Sequence, residues 1–98
     1  MVHDQEAVVA QRLQHSLVDG QVPNRSNKQE ALDQFLGYAA EMSGDYASGA
    51  RALQRALRTL PTHMVPKFSF SQAAIAERGQ ALGAAHWAQV PMLPELNF

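Results

Sequence analysis

An apolar seam runs through the middle of this chain in a single helical phase. Leu32, Leu36, Ala39, Ser43, Tyr46, Ala50, Leu53, Leu57 and Leu60 follow one another in steps that alternate between four and three residues. Such stepping puts every member on one side of an α-helix, and a side so lined is stable only when another surface covers it. The seam therefore sets the class of the fold, mainly α, before any other element is considered. Its phase passes through Ser43-Gly44-Asp45 without a break. Glycine in a helix interior is unfavourable by about 1 kcal/mol, and Asp45 is suited to cap a new helix, so two helices are an alternative. The unbroken phase favours one central helix from about Lys28 to Leu60, continuous or gently kinked at Gly44.

Flanking elements follow from caps and breakers. A first helix is expected from about Asp4 to Val18, with Asp4 at its cap, Val9, Leu13 and Leu17 on one face, and Gly20 beyond its end. Asn27 with Glu30 resembles a capping box for the central helix. Pro61 ends that helix near Leu60, because the residue before proline is driven from helical geometry. From His63 to Phe70 apolar and other residues alternate, which predicts a short extended segment, limited by Pro66 to an edge strand. Ser71 caps a last helix reaching about Gln89, in which Gly79 and Gly83 leave a close-packing face. Residues 91–98, with Met92, Leu93, Leu96 and Phe98, form an extended apolar tail. The expectation is one domain over residues 1–98: a small helical domain with one long central helix, flanking helices and an edge-strand segment near 63–70.

Composition removes several classes of function. Eight Lys and Arg against nine Asp and Glu leave a formal charge of -1, which gives phosphate backbones and anionic lipids no broad attraction. With no cysteine, thiolate chemistry, disulfides and cysteine zinc sites are excluded. No run approaches the ~18 apolar residues of a membrane span, and Met1 to Gln11 lacks the pattern of a secretory signal. The expected setting is the cytoplasm, without membrane contact.

No cofactor or metal is expected. His3, His15, His63 and His86 are too scattered to share a helical face as ligands. The carboxylates Glu30, Asp33, Glu41 and Asp45 read as helix-surface charges, followed by a basic stripe at Arg51, Arg55 and Arg58, an order that suits the dipole of one long helix. No nucleophile stands with a base, so the chain is not expected to be an enzyme; an enzyme would need a pocket near His63, His86 and Trp87. A helix-turn-helix can be sought in Gln72 to Val90 with its turn at Gly79. Gln80 occupies a position that should be apolar, and Leu82 to Gln89 carries no Arg or Lys, so direct nucleic-acid binding is not expected.

What remains is surface for binding protein. A straight helix from Lys28 to Leu60 would be about 50 Å long, whereas a globule of this size is about 35 Å across. Such a helix calls for cover by another chain, which suggests a homodimer or a protein partner. The candidate partner-binding residues are Leu32, Phe35, Leu36, Tyr46, Leu53, Leu57 and Leu60 of the seam and its flank, with Trp87, Leu93, Leu96 and Phe98. The opening Val2-His-Asp-Gln-Glu-Ala7 and the stretch Gln29-Glu-Ala-Leu-Asp-Gln-Phe-Leu36 resemble the small quorum-sensing antiactivators of pseudomonads. That resemblance implies binding to a LuxR-type transcription factor, with its dimerisation and DNA binding blocked. A small dimeric chaperone gripping an extended client is the alternative.

Overall fold

Gly44 decides the architecture. In the computed structural model, which describes residues 4–18, 28–64 and 70–89, Gly44 takes a φ of 98°, in the left-handed region that favours glycine. Its amide donates to Ala40 O at 2.7 Å and closes the last turn of one helix. Asp45 follows in extended geometry (φ -157°, ψ 166°) and opens another. Its Oδ1 accepts from the Ser48 amide at 2.6 Å and its Oδ2 from Ser48 Oγ at 3.3 Å. The expected single central helix is thus two: α2 (Lys28–Ser43) and α3 (Tyr46–Thr59). The seam's phase did not reveal the break because its three-residue step from Ser43 to Tyr46 spans the turn itself.

Before the hairpin comes α1 (Gln5–Val18), capped as expected by Asp4, whose Oδ1 accepts from the Ala7 amide at 3.1 Å. After it comes α4 (Gln72–Gln89), capped by Ser71, whose Oγ accepts from the Ala74 amide at 3.0 Å. α3 stops at Leu60, which turns to extended geometry before Pro61. Thr62–Met64 then form a 3-10 turn, with the Met64 amide donating to Pro61 O at 2.8 Å. The edge strand expected from His63 therefore does not start there. Residues 65–69 lie outside the described residues, among which there is no strand. α4 is one continuous helix through Gly79, which removes the helix-turn-helix alternative.

The α2/α3 hairpin is the middle of the fold, with α1 on one face and α4 on the other, each packed against both hairpin helices. α1 runs with α3: Glu6 meets Arg51 and Arg55, and Gln14 Nε2 reaches Ala56 O at 3.0 Å. α4 runs against α3, since Gln72 lies beside Gln54 and Gly83 beside Tyr46. Close approach comes from glycine. A methyl group on Gly49 would stand 2.7 Å from Ala40 N, so α3 lies backbone to backbone on α2. One on Gly79 would stand 2.7 Å from Ala50 Cβ, so α4 seats on α3 at that point.

The interior is wholly apolar among the described residues, with no buried polar or charged side chain. Leu13, Leu36, Leu53 and Ile75 are its largest fully buried members, one from each helix. Phe35 meets Phe70 edge to face at 6.1 Å between ring centroids. No helix among the described residues is long and apolar enough to cross a membrane.

Candidate interaction surface

The seam residues proposed as partner anchors belong to this chain's own interior. Leu32, Phe35, Leu36, Leu53 and Leu60 are buried, and Tyr46 and Leu57 are half-buried and packed against the core. The reason is the turn at Gly44, which halves the seam's length and brings α1 and α4 within reach as its cover. Trp87 lies in the last turns of α4, on a stretch whose side chains are not described. Leu93, Leu96 and Phe98, with the rest of the tail 91–98, lie outside the described residues.

The surface around α4 has a different character. An open groove of about 1030 Å³ follows one flank of that helix, with Gly37, Ala40 and Gly44 of the α2 end, Ala47 and Arg51 of α3, and Gly79, Gln80 and Gly83 of α4 in its walls. At one end the rings of Tyr46 and His86 lie 6.2 Å apart. A second groove of about 520 Å³ follows the other flank, walled by Leu32, Phe70, Ala74, Arg78 and Ala81. The side chains that would fill the larger groove are small, and a methyl group on Gly37 would meet nothing within 4 Å. The sequence marked Gly79 and Gly83 as a packing face; it gave no sign of Gly37 and Ala40, because depth there depends on where α4 lies.

Two of the charges along these surfaces, Arg78 and Arg51, are paired within the chain. Arg78 grips Asp33 through two hydrogen bonds of 2.7 and 2.9 Å, joining α4 to α2, and the hydrogen bond to Asp33 raises the guanidinium's already high pKa. Two members of the basic stripe of α3 turn toward α1: Arg55 Nη1 reaches Asp4 at 3.1 Å and Glu6 at 3.3 Å, and Arg51 approaches Glu6 at 3.9 Å. Two helices replace the one whose dipole would have ordered these charges. The amide hydrogen bond from Ser48, then its hydroxyl, lowers the pKa of Asp45, which sits on the rim of the larger groove.

The histidines that an enzyme pocket was expected to need are kept apart. His63 follows the C-terminal end of α3 and His86 adjoins its first residue, so a helix about 20 Å long separates them. Among the described residues no group of three His, Asp or Glu side chains is placed to hold a metal ion. The fold defines a small helical domain whose α4 stands as a ridge between two grooves. No family model matches the chain, and neither a curated protein nor a solved structure shows significant similarity to it.

Proposed function

We propose that this chain is a non-enzymatic regulator that acts by binding a folded protein partner at the surface around α4. The observation that carries this reading is the pair of grooves flanking α4, one of them broad and open, its walls glycine and alanine interspersed with polar groups such as Glu41, Asp45, Arg51 and Gln80. Small side chains leave room for a partner's larger ones, and large apolar groups entering such hollows dominate interface energetics. The sequence resemblance gives the partner: a LuxR-type transcription factor, held so that its subunits cannot pair on a two-half-site operator. The site is in this respect different from the seam that first suggested it. A homodimer is not part of the proposal, because the seam that called for a second copy has its cover within the chain.

The test is reconstitution. The purified chain is mixed with a purified LuxR-type regulator and its operator DNA and resolved by size-exclusion chromatography. The expected outcome is a protein–protein complex without DNA and regulator released from its operator. A regulator that stays dimeric and DNA-bound at a large excess of this chain overturns the reading.

A further inference from the structure

The larger groove opens where α4 ends. His86 stands in its wall, and Gln89, the last residue of α4, follows within about one helical turn. The smaller groove stops at Ala81, about two turns short of that end. The sequence that leaves α4 is Val90-Pro-Met-Leu-Pro-Glu-Leu-Asn-Phe98, in which Met92, Leu93, Leu96 and Phe98 are large and apolar. Val90 and Leu93 each precede a proline, which favours an extended course over a helical one. A segment so tethered meets the groove at an effective concentration on the order of millimolar.

Length and chemistry match along the groove. Turning at Pro91 and running back against α4, an extended chain covers about 22 Å by Phe98, whereas the α4 wall from His86 to Ala76 rises about 15 Å. Gly37, Ala40, Ala76 and Gly79 leave that length unfilled by the helices' own side chains. Among the described lining residues the one arginine is Arg51, whose side chain is 60% exposed and stands 3.9 Å from Glu6. Its neighbour Ala50 lies beneath Gly79, about 15 Å along α4 from Gln89. Extended chain from Pro91 reaches about 12 Å by Glu95, and the two long side chains close the remainder. The acids of the lining, Glu41 and Asp45, belong to the α2 end and its turn.

We infer that residues 91–98 fold back along α4 and occupy the larger groove, with Met92, Leu93, Leu96 and Phe98 against its small-residue walls and Glu95 paired with Arg51. The chain thereby carries its own occupant for this surface, which a folded partner must displace. The docking is independent of the proposed function; the competition with a LuxR-type regulator rests on that reading.

Paramagnetic broadening in the full chain tests the docking. The chain has no cysteine, so a nitroxide on Asn97→Cys marks the segment at one position. The amides of Ala76 and Gln54, at the far end of the groove, should broaden at least threefold more than Ala84 beside the tether and Lys28 in the smaller groove. Strongest broadening at Ala84, or equal broadening of Lys28 and Gln54, overturns the inference. Nitroxide-bearing chain mixed with label-free chain should leave the latter's amides sharp; broadening there means that a second copy fills the groove, and overturns the fold-back. Leu96→Asp alters the segment alone, and Gly37→Leu plugs the groove where a side chain has room. Each should cut the broadening of Ala76 and Gln54 at least threefold, and retention in either overturns the occupancy. Leu96→Asp should capture the LuxR-type regulator at least fivefold more than the unmodified chain. Equal or weaker capture overturns the competition, whereas no capture by either overturns the proposed function and leaves the broadening result standing.

Discussion

Two helical glycines, Gly37 in α2 and Gly49 in α3, are under opposite constraints. A methyl group on Gly37 enters open space, whereas one on Gly49 would stand 2.7 Å from Ala40 N and 2.9 Å from Ala39 C, atoms of a backbone that cannot swing aside. Gly37→Ala should therefore raise stability by up to about 1 kcal/mol, the helix-propensity difference alone. Gly49→Ala should lower it by about 1–3 kcal/mol through overpacking. Chemical denaturation with an unchanged m-value measures both, and equal effects would remove the backbone contact between α2 and α3 from the account of the fold. The two glycines are indistinguishable in the sequence, since each lies in a helical, alanine-rich stretch. What separates them is the position of another helix, which no local pattern encodes.

At the scale of elements, the turn between α2 and α3 rests on Gly44 and Asp45 acting together. Gly44→Ala places a side chain at a φ of 98° and should lose about 1–2 kcal/mol, read as a lower midpoint of thermal unfolding. Asp45 adds a pH-dependent part. Hydrogen bonds from Ser48 lower its pKa in the folded chain, so its ionised form is favoured by folding. That contribution is complete above the ordinary carboxylate value and is lost as pH falls through the lower, folded value. Asp45→Ala should melt below the unmodified chain at neutral pH, and the gap should close in acid. Asp45→Asn keeps a capping oxygen and should show a smaller gap with less dependence on pH; identical acid profiles for all three would remove the cap from the account. Most of this architecture was legible. Asp4, Ser71 and Pro61 mark ends that the helices respect, because caps and proline act through their neighbours alone. The hairpin was misread because a seam in constant phase fits one helix and a tight inward turn equally well. The pairing of Arg55 with Asp4 and Glu6 was invisible for a different reason: it spans about half of the chain.

For the whole molecule, the question is whether the seam is interior or interface, since the same leucines would serve either. A buried seam and an exposed dimer seam respond differently to a charge. Leu53 is fully buried, and an unpaired carboxylate there costs several kcal/mol against a total stability of about 5–15 kcal/mol for a domain. Leu53→Asp should accordingly abolish the cooperative thermal transition, whereas Tyr38→Asp, at a side chain 43% exposed on α2, should leave it in place. In an intersubunit seam, Leu53→Asp would instead give a folded chain of half the assembly's mass. Sedimentation with circular dichroism distinguishes a soluble folded monomer from an unfolded chain, and the former would return the seam to the interface role that its spacing first suggested. The outcome also bears on partner binding. A seam that closes within the chain offers a partner only the edges that line the grooves, Tyr46 and Ala50 on one side of α4 and Leu32 on the other. Any partner must then engage the grooves beside α4, whose walls belong to three of the four helices.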